Sequence, residues 1–573
     1  MANVGLTITE GVNNGVSPFR DASKRNIGLA GQFNRGGAFK ATKITSMEDF
    51  NVIFGGQNDA FYGPRIVKSI FDEAGDAPVT LYLARMVAVT AKAATATVNL
   101  DSGSSVTMVV NAAYKGTPDP GAWANGITVT LYSYGSLVRD MFSLIVQYKT
   151  NTPEQYNYGT LAEIQDAVNK VSKYVTVTFN GEIEKMKFKD VTGTVTANTS
   201  SNEVTGSGTT FTSLKAGNVL YDTNGKLVGT ISAISSATKL TLTSRAITAV
   251  GGAAVKVRED KTFVAKLANG VDGEITENDY KPGGTTDSPT GLAAFDGFDV
   301  QIIGVTEYHS LSMAKVLHAY CKEQKNAIGI CNLPLNADEG TAELYAMEFQ
   351  TSGISYLCSY MGWCTVPDDS GNPVMIPVMG PVLGAGFIRT PYLQGDFIHI
   401  PPAGIDSLFN NVMEMIPQRL SQTVINKLVQ QFSCNIIQYV ENTGYYIGSS
   451  RTYSTNDLYK SIHVRLQTSY YVRSLNSKMR FLEQKPNTPE LKREALVEAR
   501  NFFKTEYDNG ALERSVDFDT AYQGICDKSN NPNTQDRKLL NIDILWIPTE
   551  CTESVHISLL RNDSVLTTTE TEE

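Results

Sequence analysis

An interrupted pattern constrains this chain more than any single motif: alternating strand and helix signals fill residues 26–86, fade, and return over 300–331. In the first block a strand over 27–30 is followed by a strand near 43–45. A short helix then opens at Ser46-Met47-Glu48-Asp49, runs through Phe50 and closes at Gly55-Gly56. A serine ahead of acidic residues opens a helix because its hydroxyl accepts an orphan backbone N–H, and glycine closes one because it enters the left-handed region without strain. A second helix, Pro64 to Ala74, carries Ile66, Val67, Ile70 and Phe71 on one side and leads into a strand over 79–86. In the second block 300–305, 310–322 and 327–331 read as strand, helix and strand, the order that builds a parallel sheet. One α/β layer drawn from both blocks makes what lies between them an insertion. A chain of 573 residues has room for it, being long enough for about three or four domains.

The intervening sequence is β-rich. Over 87–190 Thr, Val and Ala alternate, 126–132 and 142–148 read as strands, and the helix signal is confined to 161–171, which predicts a β-sandwich. Residues 192–258 are poorer in charge and richer in Thr, Ser and Gly. An Asn224-Gly225 hairpin turn there sits between Val219-Leu220-Tyr221 and Leu227-Val228, predicting a separate small β-barrel or sandwich. Beyond the second α/β block, 403–432 is helical in pattern, and 435–440 with 445–451 about Gly444 reads as a hairpin. The best-defined helix has Thr488 as N-cap, Pro489 at its first position, an apolar side of Leu491, Ala495, Ala499, Phe502 and Phe503, and a stop at Asn509-Gly510. A strand through Leu540, Ile542, Ile544 and Trp546 ends at Pro548. A last strand over 555–560 precedes the acidic tail of Glu570, Glu572 and Glu573. At the other end Val4, Leu6 and Ile8 alternate with Gly5, Thr7 and Thr9 ahead of a Gly/Asn-rich lead over 11–17, one short strand on a flexible lead. The expected organisation is an arm at 1–20, an N-terminal α/β part at 21–90, a β-sandwich at 91–190 and an inserted β-module at 191–258. An α/β domain at 259–425 and an α+β C-terminal assembly domain at 426–573 complete it, so the fold class is mixed α/β and β, multidomain.

Chemistry is sparse. The formal charge of −10 and the lack of a Lys/Arg block argue against a nucleic-acid groove. The cationic run Arg20, Lys24, Arg25, Arg35, Lys40 and Lys43, against Asp21, reads as a solvated face. Residues 1–10 carry neither a basic nor an apolar signal region, so no secretory signal is expected. The apolar run 374–388 is short for a bilayer and broken by Pro377, Gly380, Pro381, Gly384 and Gly386. It reads as buried irregular or strand structure, and membrane insertion is not expected. Seven cysteines without a CxxC spacing read as reduced, mostly buried thiols. Nucleophile-elbow, phosphate-loop and zinc-helix motifs are absent. Gly384-Ala385-Gly386 has Arg389 where a dinucleotide loop needs its third glycine. His309, His318, His399, His463 and His556 show no ligand spacing, and Asp368-Asp369 sits in a turn-forming stretch. No catalytic, cofactor-binding or metal-binding residue is therefore expected.

Several segments, in order along nearly the whole chain, resemble the contractile phage tail sheath family. They include Ile27-Gly28-Leu29-Ala30-Gly31, the stretch 43–50 with Phe54-Gly55-Gly56, Leu81-Tyr82-Leu83-Ala84-Arg85, and Gly121-Ala122-Trp123-Ala124-Asn125-Gly126. Further on come 363–367, Ile376-Pro377, Gly384-Ala385-Gly386, Gly395-Asp396-Phe397 with Pro401-Pro402, Cys434-Asn435-Ile436-Ile437, Gly448 and Arg451-Thr452. The series closes with Pro486-Asn487, Gly510-Ala511-Leu512, Asn533-Thr534, 541–548 and 553–557. Two departures stand out: 192–258 resembles an added module, and Thr390-Pro391-Tyr392 replaces a charged element expected near Arg389.

The resemblance implies a structural protein without enzyme activity or cofactor, whose α/β domain is subtilisin-like in topology only. It implies a subunit of stacked homo-oligomeric rings around an inner tail tube, contacting baseplate and tail terminator proteins and binding no nucleic acid directly. It would be assembled in the bacterial host cytoplasm, reside in the virion tail, and drive the tube through the host envelope, for genome ejection, by passing from an extended to a contracted state. It also implies that two terminal strands, Val4, Leu6 and Ile8 at one end and Val555, Ile557 and Leu559 at the other, are donated to neighbouring subunits. Alternatives are the sheath of a bacteriocin-like or secretion particle and, in other classes, a β-rich adhesin or glycan-binding protein or a subtilisin-like hydrolase.

Overall fold

The computed structural model describes residues 24–100, 106–135, 140–181, 188–258, 261–532 and 538–552. The chain is a mixed α/β, multidomain protein. Its largest α/β layer is an eight-stranded sheet in the spatial order Thr42–Ile44, Leu81–Arg85, Ile27–Gly31, Ile302–Val305, Ile328–Asn332, Leu357–Met361, Asn435–Val440, Gly444–Ile447. The six inner strands run parallel and the two edge strands antiparallel, the Ile27–Gly31 strand placing Ile27 between Leu81 and Ile302. Both sequence blocks thus contribute to one sheet. The strands Ile27–Gly31 and Ile328–Asn332 are buried throughout, which is why they read as continuous apolar runs.

Local chemistry sets the first helices. Ser46 caps Met47–Phe54, its side chain accepting the Asp49 N–H, and Gly55 closes it at φ 87°. Phe61 offers no capping side chain to the helix Tyr62–Ala74. A distant carboxylate does so instead: Glu307 accepts the Tyr62 and Gly63 N–H groups at 2.9 and 2.7 Å, where the helix dipole favours an anion. At the other end of the helix, buried Glu73 accepts the Asn410 and Asn411 N–H groups at 2.8 Å each and pairs with Arg389 at 3.4 Å.

The β-rich stretch builds two groups. One antiparallel sheet holds Val175–Asn180, Thr107–Tyr114 and Thr95–Asn99, and another holds Lys261–Lys266, Thr128–Gly135, Asp140–Gln147 and Glu154–Tyr158. Alternate residues of both, among them Met108, Val110, Val129, Leu131, Leu144 and Val146, fall in one apolar cluster with Ile164 and Val168 of the helix Leu161–Val171. Lys261–Lys266 returns to this group after the Thr/Ser/Gly-rich segment, pairing with Thr128–Gly135. That segment has its own eight strands and its own cluster around Phe211, Leu220, Ile231 and Val257. Its two ends meet as a strand pair, Phe188 opposite Arg258.

Three stretches differ from the sequence reading. Residues 403–432 are not one helical run: they hold a turn of 3-10 helix at Ile405–Ser407, a strand at Glu414–Ile416 and short helical pieces at Gln422–Asn426 and Lys427–Gln431. Pro401, Pro402, Gly404 and Pro417 interrupt the periodicity. The run 374–388 begins as the strand Pro373–Pro377 and continues as a buried helical segment whose middle, Val382–Arg389, is π-helical. Its glycines serve packing rather than phosphate binding. A Cβ on Gly384 would lie 2.6 Å from the Ile70 carbonyl oxygen, and one on Gly386 2.4 Å from Ile447 Cδ1. Gly384→Ala is therefore expected to cost about 1–3 kcal/mol, read as a lower urea midpoint. The final apolar strand is shorter than its pattern and covers Asp543–Trp546.

Candidate functional site

Among the described residues, no group of three or more His, Cys, Asp or Glu side chains is placed to hold a metal, and no helix is long and apolar enough to cross a membrane. Six of the seven cysteines are buried. His309 and His318 pack against aromatic rings. His309 stands edge-on to Trp363 at 5.2 Å and tilted to Tyr62 at 6.2 Å, and His318 stands edge-on to Phe349 at 5.4 Å. His556 lies outside the described residues.

Burial pushes the His309 imidazole down to about 4, because the charged form has lost water and gained no carboxylate. Between about pH 6.5 and 4 the unfolded chain thus binds more protons than the folded one. The stability from neutral His309 is complete above 6.5 and is lost as pH falls towards 4. Going from neutral pH to about 5 is expected to cost up to about 2 kcal/mol through this residue, a loss that urea denaturation of His309→Gln should not show.

The charged groups that matter lie where the α/β layer meets the β-rich part. Arg85 ends a sheet strand and is buried; its Nη1 lies 2.8 Å from Asp119 Oδ1 and 2.8 Å from the Pro120 carbonyl, and its Nε donates to the Phe33 carbonyl at 3.0 Å. Asp119 also accepts from the Gly36 N–H at 2.8 Å and Trp123 Nε1 at 3.1 Å. Burial pushes the Asp119 carboxyl up and the Arg85 guanidinium down, each opposed by its partner. Beside them Arg35 places its guanidinium 4.9 Å from the Tyr174 ring and 5.6 Å from those of Tyr148 and Trp123, close enough for cation–π attraction. The cationic run at 20–43 is therefore not one solvated face: Arg35 is buried and the Arg25 side chain is only 8% exposed, because each finds a partner set on another segment. The Gly-x-Trp-x-Asn segment helps to hold this junction. Trp123 binds Asp119, and Asn125 exchanges two hydrogen bonds with Gly270 at 3.0 and 2.8 Å.

The C-terminal part holds a small separate sheet. Tyr522–Ile525 and Asp543–Trp546 form an antiparallel sheet, and among the described residues each strand pairs only with the other. Two strands alone are marginal in water, so this sheet depends on one packed face. Trp546 meets Tyr471 at 4.9 Å, and Tyr522 meets Phe503 at 4.9 Å and Phe518 at 5.3 Å, over the helices Ile462–Lys478 and Pro489–Asp508. The other face leaves Leu545 52% exposed, and among the described residues neither outer edge is paired with a further strand. The terminal strand residues Val4, Leu6, Ile8, Val555, Ile557 and Leu559 lie outside the described residues.

The fold is similar to that of a solved sheath tail protein. A sheath tail protein from Listeria innocua shares the fold over 92% of this chain and 96% of its own, with a TM-score of 0.54 at 12% identity. A sheath tail protein from Desulfitobacterium hafniense aligns over 94% and 100% of the two chains with a TM-score of 0.48 at 13% identity. The helical sheath of the anti-feeding prophage in its contracted state aligns over 97% and 100%, with a TM-score of 0.48 at 11% identity. No family model and no curated protein matches the sequence.

Proposed function

We propose that the protein is the structural subunit of a contractile tail sheath. It polymerises as stacked rings around an inner tube and passes from an extended to a contracted state that drives the tube through a cell envelope. The two-stranded C-terminal sheet, whose outer edges pair with no further strand among the described residues, supports this reading beyond the shared fold, because an open sheet edge is where a neighbour's strand can be added. Strand addition uses main-chain hydrogen bonds, so subunits stay linked while their domains rotate. The strands added are 4–8 and 555–559 of neighbouring copies. The six parallel inner strands and their covering helices form the subtilisin-like body, while the two antiparallel sheets sharing one core form the sandwich. The remaining partners are the tube, baseplate and terminator proteins, and the particle is a phage tail or a related injection device.

Contraction needs no bound nucleotide in this reading, since better-matched contacts between copies supply the driving force. Purified subunit should grow in mass with concentration by light scattering, equally with a chelator present and without nucleotide. Mass independent of concentration at every salt tested would remove the proposal. The β-module at 191–258 is a peripheral insert, its last strand pairing with Phe188–Asp190, the strand that leads into it. Replacing 192–258 by a short Gly/Ser linker should leave polymer growth unchanged, and a folded variant that fails to polymerise would place the module in an essential interface.

A further inference from the structure

Separate stretches of chain bring cations to one imidazole. Arg25 Nη1 lies 3.0 Å from Asp396 Oδ1, its Nη2 donates to the Phe397 carbonyl, and Lys24 Nζ approaches Asp396 Oδ2 at 3.4 Å. The Phe397 ring stacks on His399 at 5.7 Å, and the charges of Arg25, Arg514 and Lys24 all act on that imidazole. Arg514 comes from beyond the helix Pro489–Asp508, where its Nε donates to the Tyr507 carbonyl at 3.2 Å and its Nη2 to that of Asp508. Bonds to the last carbonyls, at the negative end of the helix dipole, hold this guanidinium in place.

The charges in this group do not balance. Among the described residues Asp396 is the one carboxylate paired with any of the three cations, and its two oxygens are taken by Arg25 and Lys24. Arg514 has no carboxylate partner among the described residues, and the Asp508 carboxylate beside it pairs with Lys504. The His399 ring makes no hydrogen bond among the described residues, its Nδ1 being buried. Burial first, then Arg25, Arg514 and Lys24, push this imidazole down to about 4. Capping a helix accounts for Arg514 alone, but not for its charge converging with two others on a neutral ring. Like charges gathered at a part-buried place repel, and an anion among them removes that cost.

We propose that Lys24, Arg25, Arg514 and His399 form a binding site for an oxyanion, a carboxylate or a phosphate-like group, where the lead into the first strand meets the end of the long C-terminal helix. Arg514 offers Nη1, the guanidinium nitrogen that neither carbonyl occupies, and Lys24 offers a remaining ammonium proton. The bound charge favours the imidazolium form of His399, so binding takes up a proton and strengthens as pH falls. The groups acting on that proton are Lys24 and Arg25 from the lead into the first strand, Arg514 from the C-terminal part, and Asp396 from the loop of His399 itself. A carboxylate of a neighbouring copy and a free oxyanion share this chemistry.

Calorimetric titration of the dilute full-length subunit with sulfate tests the site, because the charge of sulfate is constant over the pH range used. With ionic strength held by chloride, the intact chain should bind sulfate with a dissociation constant on the order of millimolar, up to about tenfold more tightly at about pH 5.5 than at about 6.5. Arg514→Gln should weaken binding about fivefold or more, and His399→Gln should keep binding but lose its pH dependence. Lys24→Gln, away from the helix end, gives a second reading if Arg514→Gln loosens that helix. Equal affinity in the intact chain and both cation variants, no binding up to about 50 mM sulfate, or a pH dependence that survives His399→Gln would overturn the site. The titration is read on dilute subunit, so it stands whether or not the chain polymerises. Where polymer forms, sulfate that slows its growth in the intact chain but not in Arg514→Gln identifies the occupant as a neighbour's carboxylate, and sulfate that does not slow it identifies a free oxyanion.

Discussion

Asp119→Ala is expected to destabilise the protein by about 3–5 kcal/mol, because it leaves the buried Arg85 without its hydrogen-bonded carboxylate and with only the charge of Asp272 acting on it through space. The guanidinium would keep the Phe33 and Pro120 carbonyls as acceptors but lose the Asp119 carboxylate, while the Gly36 N–H and Trp123 Nε1 would lose their acceptor. Each orphaned donor adds a desolvation cost that water cannot relieve at this depth. Arg85→Met with Asp119→Leu should recover much of the loss, since a buried ion pair is worth little against well-packed apolar side chains although breaking one is costly. Urea midpoints of the single and double variants separate the outcomes. A loss below about 1 kcal/mol for Asp119→Ala would mean that the junction is open to water.

Deleting residues 2–16 should abolish polymerisation while leaving the melting temperature of the subunit close to that of the intact chain. The described core is complete without those residues: the eight-stranded sheet, the aromatic cluster under the C-terminal sheet and the two β-rich groups all close among residues after 23. On the proposed function, the deletion takes away the strand that would be donated to another copy. Thr7→Pro should act in the same direction more weakly if the Thr7 N–H joins that ladder. The C-terminal sheet supplies the internal control. Should 4–8 pair within its own subunit instead, the deletion would remove a strand from a marginal sheet and lower the melting temperature markedly, even in the monomer.

Much of the fold was legible wherever it is set by neighbouring residues. The Ser46 cap, the Gly55 stop, the Thr488-Pro489 helix start and the Asn224-Gly225 turn depend on a few adjacent residues and stand where their chemistry puts them. The return of the parallel sheet was legible because its buried strands are unbroken apolar runs. The helix Ile462–Lys478 was not, since it is buried nearly all round and carries His463, Arg465, Gln467, Ser469 and Arg473 inward, so no apolar stripe marks it. Arg25 and Arg35 read as solvated because their partners, Asp396 and the Trp123, Tyr148 and Tyr174 rings, are far away in sequence. The one available signal for Arg85 was its place at the end of the apolar run 81–84, where an unpaired charge would be costly. That Tyr522–Ile525 and Asp543–Trp546 pair only with each other among the described residues gave no sequence signal at all, because an edge is a property of what does not pair.

Electron microscopy of the concentrated, purified protein tests the central claim most directly. The account predicts hollow tubes built of stacked rings, with a lumen wide enough for an inner tube, and their absence from the variant lacking residues 2–16. Compact single particles at every concentration, or solid fibres without a lumen, would contradict it.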